Sequence, residues 1–480
     1  MLTDVRHYPL PIAGQRSEGT GREAVTNPYD GSTVGTIAVA GHDDMERAIA
    51  AAVDIFPSFS HWPRHHRRDV LRAVADGLRT RKEALVELMI AESGKPRRWS
   101  AIEVDRAITT FSIAAEEATR TGGEVLPLDL GPATEGYTAI VERFPAGPVA
   151  AIAPFNFPLN LVAHKLGPAF AVGCPVVLKP PVQAPLCALE LAEICYQAGI
   201  PREALSVVHA PVEVAERLAT DERFKVLSFT GSSKVGWHLR SIAGKKRVLL
   251  ELGGNAGALI WGDADLDWAA QRCAIGAYGQ GGQVCIKVQR MLVQRSVAEP
   301  FLAKFLAATD ALGVGNPRDE QAMVSPMIDT ANADRVMAWV AEAKAAGART
   351  LRGGKREGNL IHPIVLTETT HDMKVECEEI FGPVATVAIV DDFDAALARI
   401  NDSRYGLQAG VFTNDLRRAW KAFEQLEVGG VVINDYPTLR VDNFPYGGVK
   451  ESGLGREGVR YAMEEMSELR TLVLRTLTTR

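Results

Sequence analysis

The chain has 480 residues, 46% hydrophobic and 23% charged, the balance of a globular protein with large cores and two or three domains. A net charge of −6 leaves no basic footprint, which excludes nucleic acid as an expected partner. Cys174, Cys187, Cys195, Cys273, Cys285 and Cys377 show neither CxxC nor metal-ligand spacing and read as free thiols of a reducing cytoplasm. Met1-Leu2-Thr3-Asp4-Val5-Arg6 carries an acid and no apolar core, so no secretory signal is expected. The longest apolar run is broken by His164 and Lys165, short of a membrane span. The cluster Arg64-His65-His66-Arg67-Arg68 reads as a solvated helix face.

The first residues read as a hairpin turning at Asn27-Pro28-Tyr29-Asp30-Gly31. A helical pattern runs from Asp43 to about Gly94, with Asp43 or Asp44 as N-cap and Gly94-Lys95-Pro96 as the stop. A further helix spans about 98–121. Segments 124–130 and 137–143 alternate and are split by a Gly-Pro turn, an inserted hairpin that invites pairing with another subunit. From Gly147 strands are expected at 149–153, 176–179, 206–209, 226–229 and 248–251, with helices such as 186–198 and 212–220 between them. This alternation predicts βαβ units and a parallel sheet, with ligands outside the carboxyl ends of the strands. Asn156, Lys179 and Glu251 sit at those ends. Beyond Ala256 a helix to Tyr278, strand 291–293, helix 298–311 and strands 385–390, 410–413 and 430–434 predict a second α/β domain. The tail, 471–475, is expected to add a strand to the earlier hairpin.

Two side chains stand at breaks where chemistry is possible. Glu251 ends an apolar run before Gly253-Gly254-Asn255, and Cys285 follows Gly279-Gln280-Gly281-Gly282-Gln283-Val284. They read as general base and nucleophile, or as a solvated strand-end acid and a small buried thiol. Phe229-Thr230-Gly231-Ser232-Ser233 closes a strand and opens a helix, either a phosphate cradle or a plain turn. Asn156, between Phe155 and Phe157, is an oxyanion donor or a turn residue. Glu378-Glu379-Ile380-Phe381-Gly382-Pro383 can be read as a helix-end acid pair. Gly453-Leu454-Gly455-Arg456-Glu457-Gly458 matches GxGxxG but has too little chain after it for a dinucleotide unit and is rejected as one.

Taken in order, Phe155-Asn156-Phe157-Pro158, Leu178-Lys179-Pro180, Phe229-Thr230-Gly231-Ser232, Glu251-Leu252-Gly253-Gly254-Asn255, Gly282-Gln283-Val284-Cys285, Glu379-Ile380-Phe381-Gly382-Pro383 and Pro445-Tyr446-Gly447-Gly448-Val449-Lys450 form one set. The set resembles the NAD(P)-dependent aldehyde dehydrogenase superfamily, from about residue 20 onward. The resemblance implies that family's α/β fold: a Rossmann-like cofactor domain (1–121 and 141–252), a catalytic domain (253–452) and a small β oligomerisation element (122–140 and 467–480). It implies a homodimer or homotetramer. It also implies that Cys285 attacks the aldehyde, that Asn156 and the Cys285 N–H hold the oxyanion, and that Glu251 activates the water that releases the acid. Lys165 matches a catalytic lysine that relays protons near the nicotinamide ribose in the family. Phe155, Gly231, Ser232, Lys179, Glu379 and Phe381 fall at cofactor positions.

One departure bears on the cofactor. NAD-preferring relatives commonly carry glutamate three residues after the lysine, where Val182 stands; NADP is therefore expected to be tolerated, with NAD still possible. The resemblance is closest to the subgroup acting on small oxygenated or anionic aldehydes such as lactaldehyde, glyceraldehyde 3-phosphate and phosphonoacetaldehyde. Arg106, His164 and Arg440 fall at its substrate-tunnel positions, able to pair with an anionic tail or to be surface ion pairs, and Phe157 and Tyr446 at aromatic walls. Val284, where phosphate-specific relatives often place arginine, counts against a strictly phosphorylated substrate. A CoA-acylating relative usually lacks the glutamate, and a non-catalytic one the cysteine; both are present.

Overall fold

A computed structural model describes residues 5–476; the expected leader-free start at residues 1–4 and the last residues of the expected oligomerisation element, 477–480, lie outside the described residues. Strands β1 (Gly21–Thr26) and β2 (Thr33–Val39) pair antiparallel. Their turn is shaped by Asn27, whose side-chain oxygen accepts the Tyr29 N–H at 2.9 Å. The long helical pattern resolves into α1 (His42–Phe59), α2 (Arg64–Thr80) and α3 (Lys82–Ser93), because Pro63 starts a new helix and Arg81 separates the next. Neither Asp43 nor Asp44 is the N-cap. Gly41 holds that position, and Asp44 reaches back from inside the first turn to accept the Gly41 N–H at 3.1 Å. α3 stops at left-handed Gly94, and α4 (Arg97–Arg120) follows.

Strands β3 (Glu124–Pro127) and β4 (Tyr137–Pro145) form the inserted hairpin. The chain then winds through β5 (Val149–Ile152), α5 (Asn160–Val172), β6 (Val176–Lys179), α6 (Leu186–Gln197), β7 (Leu205–Val207), β8 (Val226–Thr230), α7 (Ser233–Ile242) and β9 (Arg247–Glu251). The expected helix 212–220 is instead two four-residue helices, Val212–Ala215 and Arg217–Thr220, interrupted at Glu216. These strands lie in the order β7-β6-β5-β8-β9, all parallel. Buried on both faces, they read as apolar runs without alternation. The order reverses between β5 and β8, so the crevice beyond their carboxyl ends is the place for a ligand.

The second half contributes β10 (Gly257–Ile260), α8 (Leu266–Tyr278), β11 (Arg290–Gln294), α9 (Arg295–Asp310), α10 (Thr330–Ala345), β12 (Arg349–Arg352), β13 (Ile364–Thr367), β14 (Val384–Val390), β15 (Gln408–Phe412), α11 (Leu416–Gln425) and β16 (Gly430–Ile433). The sheet order is β12-β13-β14-β11-β10-β15-β16, parallel except for β12. β10, β12 and β13 are additions to the strands expected from sequence. The chain then returns to the first half. β17 (Gly453–Leu454) pairs antiparallel with β9, and α12 (Val459–Glu465) follows. β18 (Ser467–Arg475) pairs with β4 from Ser467↔Pro145 to Arg475↔Tyr137. This third sheet leaves Val125, Leu472 and Val473 exposed. Among the described residues no helix is long and apolar enough to cross a membrane.

Candidate active site

The carboxyl ends of the first sheet face the loop after α8 across a cavity of about 1030 Å³. Cys285, Glu251, Asn156, Phe155, Phe157, Gly231, Ser232, Glu379, Phe381, Arg106, Arg440 and Tyr446 all line it. Lys165, His164 and Lys179 do not.

The thiol is carried by a tight turn. Gln280, Gly281 and Gly282 are consecutive left-handed residues, with φ of 56°, 65° and 66°. A side chain on Gly282 would run into the Gly382 carbonyl oxygen, so glycine is required there. Gln280 is the one residue of the three that carries strain, about 1–2 kcal/mol. Its amide donates to the Asn156 carbonyl, while Asn156 Nδ2 donates to the Gln283 carbonyl at 3.2 Å. Gln283 in turn donates to Pro326 O at 3.2 Å and accepts the Ile328 N–H at 3.0 Å. The asparagine loop of one sheet and the cysteine loop of the other are thereby tied together. Asn156 keeps a second amide hydrogen for a developing oxyanion.

Cys285 Sγ lies 3.1 Å from Tyr446 Oη. Burial pushes the thiol up to about 11, with the tyrosine contact opposing it, so the resting group is protonated and needs a proton acceptor to become a nucleophile. Glu251 is buried, and its Oε2 has no hydrogen-bond partner. Burial, then the charge of Glu457, raises its carboxyl well above the usual range, which makes the ionised form a stronger base. A side chain on Gly447 would come within 2.8 Å of Glu251 Oε1, so the backbone closes one flank of the carboxyl.

Behind the wall runs a buried ionic network. Lys165 Nζ donates to Ser228 Oγ at 3.0 Å, Thr230 Oγ1 at 2.8 Å and Glu457 Oε1 at 3.3 Å. Arg440 donates to Glu457 Oε2 at 2.8 Å and lies 3.9 Å over the Tyr446 ring. Burial would raise Glu457, but Lys165 and Arg440 outweigh it and hold the carboxyl at about 2. Arg106 makes a two-point contact with Asp442, at 2.7 and 3.2 Å. Asp442 also accepts from His164 Nε2 at 2.8 Å and Asn160 Nδ2 at 3.3 Å. The expectation that His164 lines the tunnel is corrected: α5 turns it away from the cavity, fully buried, to hold Asp442. Arg106 and Arg440 are ion-paired, yet both stand on the cavity wall rather than on the outer surface.

On the other flank, α7 begins at Ser232 with no side-chain cap, and the buried Ser233 hydroxyl has no partner. Open N–H groups at a helix start, with two adjacent serines as its N-cap and first residue, suit the pyrophosphate of a dinucleotide. A side chain on Gly231 would lie 2.6 Å from the Phe229 ring, so bulk there is excluded. Glu379 accepts the Gly254 N–H at 3.1 Å, and burial pushes it up to about 7. Phe381 meets Phe155 edge-on at 6.0 Å. Lys179 ends β6 outside the main cavity, within the same row of strand ends. Asp442, Glu457, Gln280 and Gln283 were not foreseen. Glu457 lies inside the rejected glycine motif, and Asp442 stands two residues after Arg440; neither has a spacing signal of its own.

A two-sheet α/β frame with a thiol, a buried carboxyl and an amide around one cleft, beside a helix start suited to a pyrophosphate, defines a nucleotide-dependent oxidoreductase of the thiol type. The chain belongs to the aldehyde dehydrogenase family, whose profile matches residues 15–472. It is 45% identical over 475 residues to a 3-sulfolactaldehyde dehydrogenase of Priestia megaterium, covering 98% of this chain and 99% of that one. It superposes on aldehyde dehydrogenase 21 from Physcomitrella patens, in complex with the reaction product succinate, with a TM-score of 0.97, 43% identity and full coverage of both chains. The glyceraldehyde-3-phosphate dehydrogenase GapN of Methanocaldococcus jannaschii, complexed with NADP, gives 0.92 and 37% over 95% of this chain and all of that one. The protein is an oxidoreductase that oxidises an aldehyde with NAD or NADP as acceptor.

Proposed function

We propose that the substrate is a short aldehyde carrying one anionic group, a carboxylate or a sulfonate, and that the product is the free acid. The observation that carries this reading is the pair of wall arginines, Arg106 and Arg440, each already matched by one carboxylate. Paired guanidiniums keep donors for a singly charged tail but offer little net charge to a dianion. The sulfonate in one relative's name and the succinate in one solved complex support the same chemistry. The Cys285 thiol loses its proton to water as Sγ bonds to the aldehyde carbon, and the carbonyl electron pair moves to oxygen, where Asn156 and the Cys285 N–H receive it. A nicotinamide held by Phe155, Glu379 and Phe381 would supply the hydride acceptor, and loss of hydride from the carbon held by Cys285 leaves a thioester there. Glu251 draws a proton from the water that attacks this thioester, and the C–S bond breaks to give the acid.

Glu251 favours hydrolysis over transfer to CoA. Lys165 and Glu457 hold charge behind the base; Phe157 and Tyr446 wall the substrate, and Lys179 meets the adenosine ribose. We assign residues 1–121 and 141–252 to cofactor binding and 253–452 to catalysis. Segments 122–140 and 467–480 serve assembly into a homodimer or homotetramer in the cytoplasm. The test is NAD(P)+ reduction by three-carbon and four-carbon aldehydes with neutral, carboxylate, sulfonate and phosphate ends. Carboxylate or sulfonate substrates should exceed neutral and phosphorylated ones at least tenfold in kcat/KM. A phosphorylated aldehyde at the top would overturn the reading.

A further inference from the structure

We propose that Glu23, carried on β1 outside the cofactor sheet, selects the cofactor at its adenosine ribose, favouring the free 2′-hydroxyl of NAD over the 2′-phosphate of NADP. The inference rests on the proposed placement of the dinucleotide across the β5–β9 strand ends with Lys179 at the ribose.

Three elements converge beside that lysine. β6 ends in Lys179, and His209 follows two residues after the end of the neighbouring β7. The His209 carbonyl accepts the Ala40 N–H at 2.8 Å, which docks the end of β2 against the strand ends. On β1, Glu23 pairs with Ile37 of β2 and turns its carboxylate onto His209 Nε2 at 2.9 Å. The imidazole is buried and the carboxylate half-exposed, so a buried ring fixes an acid that still faces solvent. Lys179 itself makes no ion pair or hydrogen bond through its ammonium among the described residues. Burial lowers it, and Glu23 is the carboxylate whose charge opposes that effect. The lysine's charge is therefore already shared with an acid that His209 holds in place.

Val182 is half-exposed and removes a carboxylate from the place where sequence would look for one; taken alone it points to tolerance of NADP. Glu23 returns a carboxylate to the same lysine from a different element, more than 150 residues earlier in the chain. A carboxylate at the ribose accepts a hydrogen bond from the 2′-hydroxyl and repels a 2′-phosphate. His209 is a positioning residue: it fixes the acid without facing the cofactor.

The test is calorimetric titration of the cofactor-free protein with NAD+ and with NADP+, for the wild type, Glu23→Gln and His209→Asn, with thermal melts to establish folding. The wild type should bind NAD+ at least tenfold more tightly than NADP+. Glu23→Gln should tighten NADP+ at least tenfold, with NAD+ unchanged or weaker. His209→Asn should narrow the ratio in the same direction, since the Glu23 carboxylate is kept but no longer held in position. Equal or tighter binding of NADP+ by the wild type, or a ratio that Glu23→Gln leaves unmoved, would overturn the proposal alone. Failure of the folded wild type to bind either dinucleotide would overturn the cofactor placement beneath it.

Discussion

Glu251 and Cys285 share one predicament, two acids, one buried and one half-buried, whose ionised forms are costly. Burial holds the thiol protonated at about 11 and the carboxyl above its ordinary range, so each becomes reactive only when something takes its proton. Acylation and hydrolysis therefore separate under mutation. Glu251→Gln should retain a single-turnover burst of NAD(P)H and lose about a hundredfold or more in the steady state. In the wild type the steady-state rate should climb with pH toward the raised carboxyl value, and that limb should be missing in the variant. Stopped-flow absorbance at 340 nm reads both phases. Loss of the burst together with the steady state would remove Glu251 from the second step.

At the scale of an element, the turn after α8 decides where the thiol sits. Gly282 has φ of 66° and no room for a β-carbon against Gly382. Gly282→Ala should cost about 2 kcal/mol or more in stability. It should also lower the single-turnover rate at least tenfold, since the turn carries Gln283 and its bond to Asn156. A melt and a burst amplitude equal to wild type would show that the loop repacks freely. The motif was legible because three of the four residues Gly279-Gln280-Gly281-Gly282 are glycine, a local signal with a local cause. The β5 to β9 strands were legible for the same reason, as apolar runs ending in polar turns. β10 was not: Gly257-Ala258-Leu259-Ile260 is four buried residues without alternation, and length alone does not separate it from the approach to α8. His164 was misplaced because only the packing of α5 says which of its faces meets the cavity. Glu23 beside Lys179 lies beyond local reading altogether, since a strand pair had to be docked before the two could meet.

Across the whole molecule, the buried charges set an acid limit on stability. Glu457 is held at about 2 and Asp442 also well below the carboxylate range; burial opposes both shifts, but Lys165 and Arg440 on one side, and His164 and Arg106 on the other, outweigh it. A carboxylate held low in the fold contributes stability that is present above its unfolded value and lost as pH falls through the folded one. Glu251, held high, acts in the opposite sense and at higher pH. Below about pH 4.5 the melting temperature should therefore fall steeply, and Glu457→Gln should melt lower than wild type at pH 7 but with a shallower acid slope. Parallel slopes for the two proteins would deny Glu457 this role.

The third sheet and the network behind Glu251 have a common feature: each is closed by residues far along the chain. β18 completes the sheet begun by β4, and Glu457 supplies the charge that Lys165, buried on α5, requires. During synthesis the first parallel sheet can assemble early, but its lysine is left without a counter-charge until the ribosome has passed residue 457. β4 stays half-paired until residue 475 has emerged. The nascent protein therefore spends most of its translation with an unpaired strand edge exposed. Chaperone engagement on stalled chains should be strongest in that interval and end once β18 is free to dock.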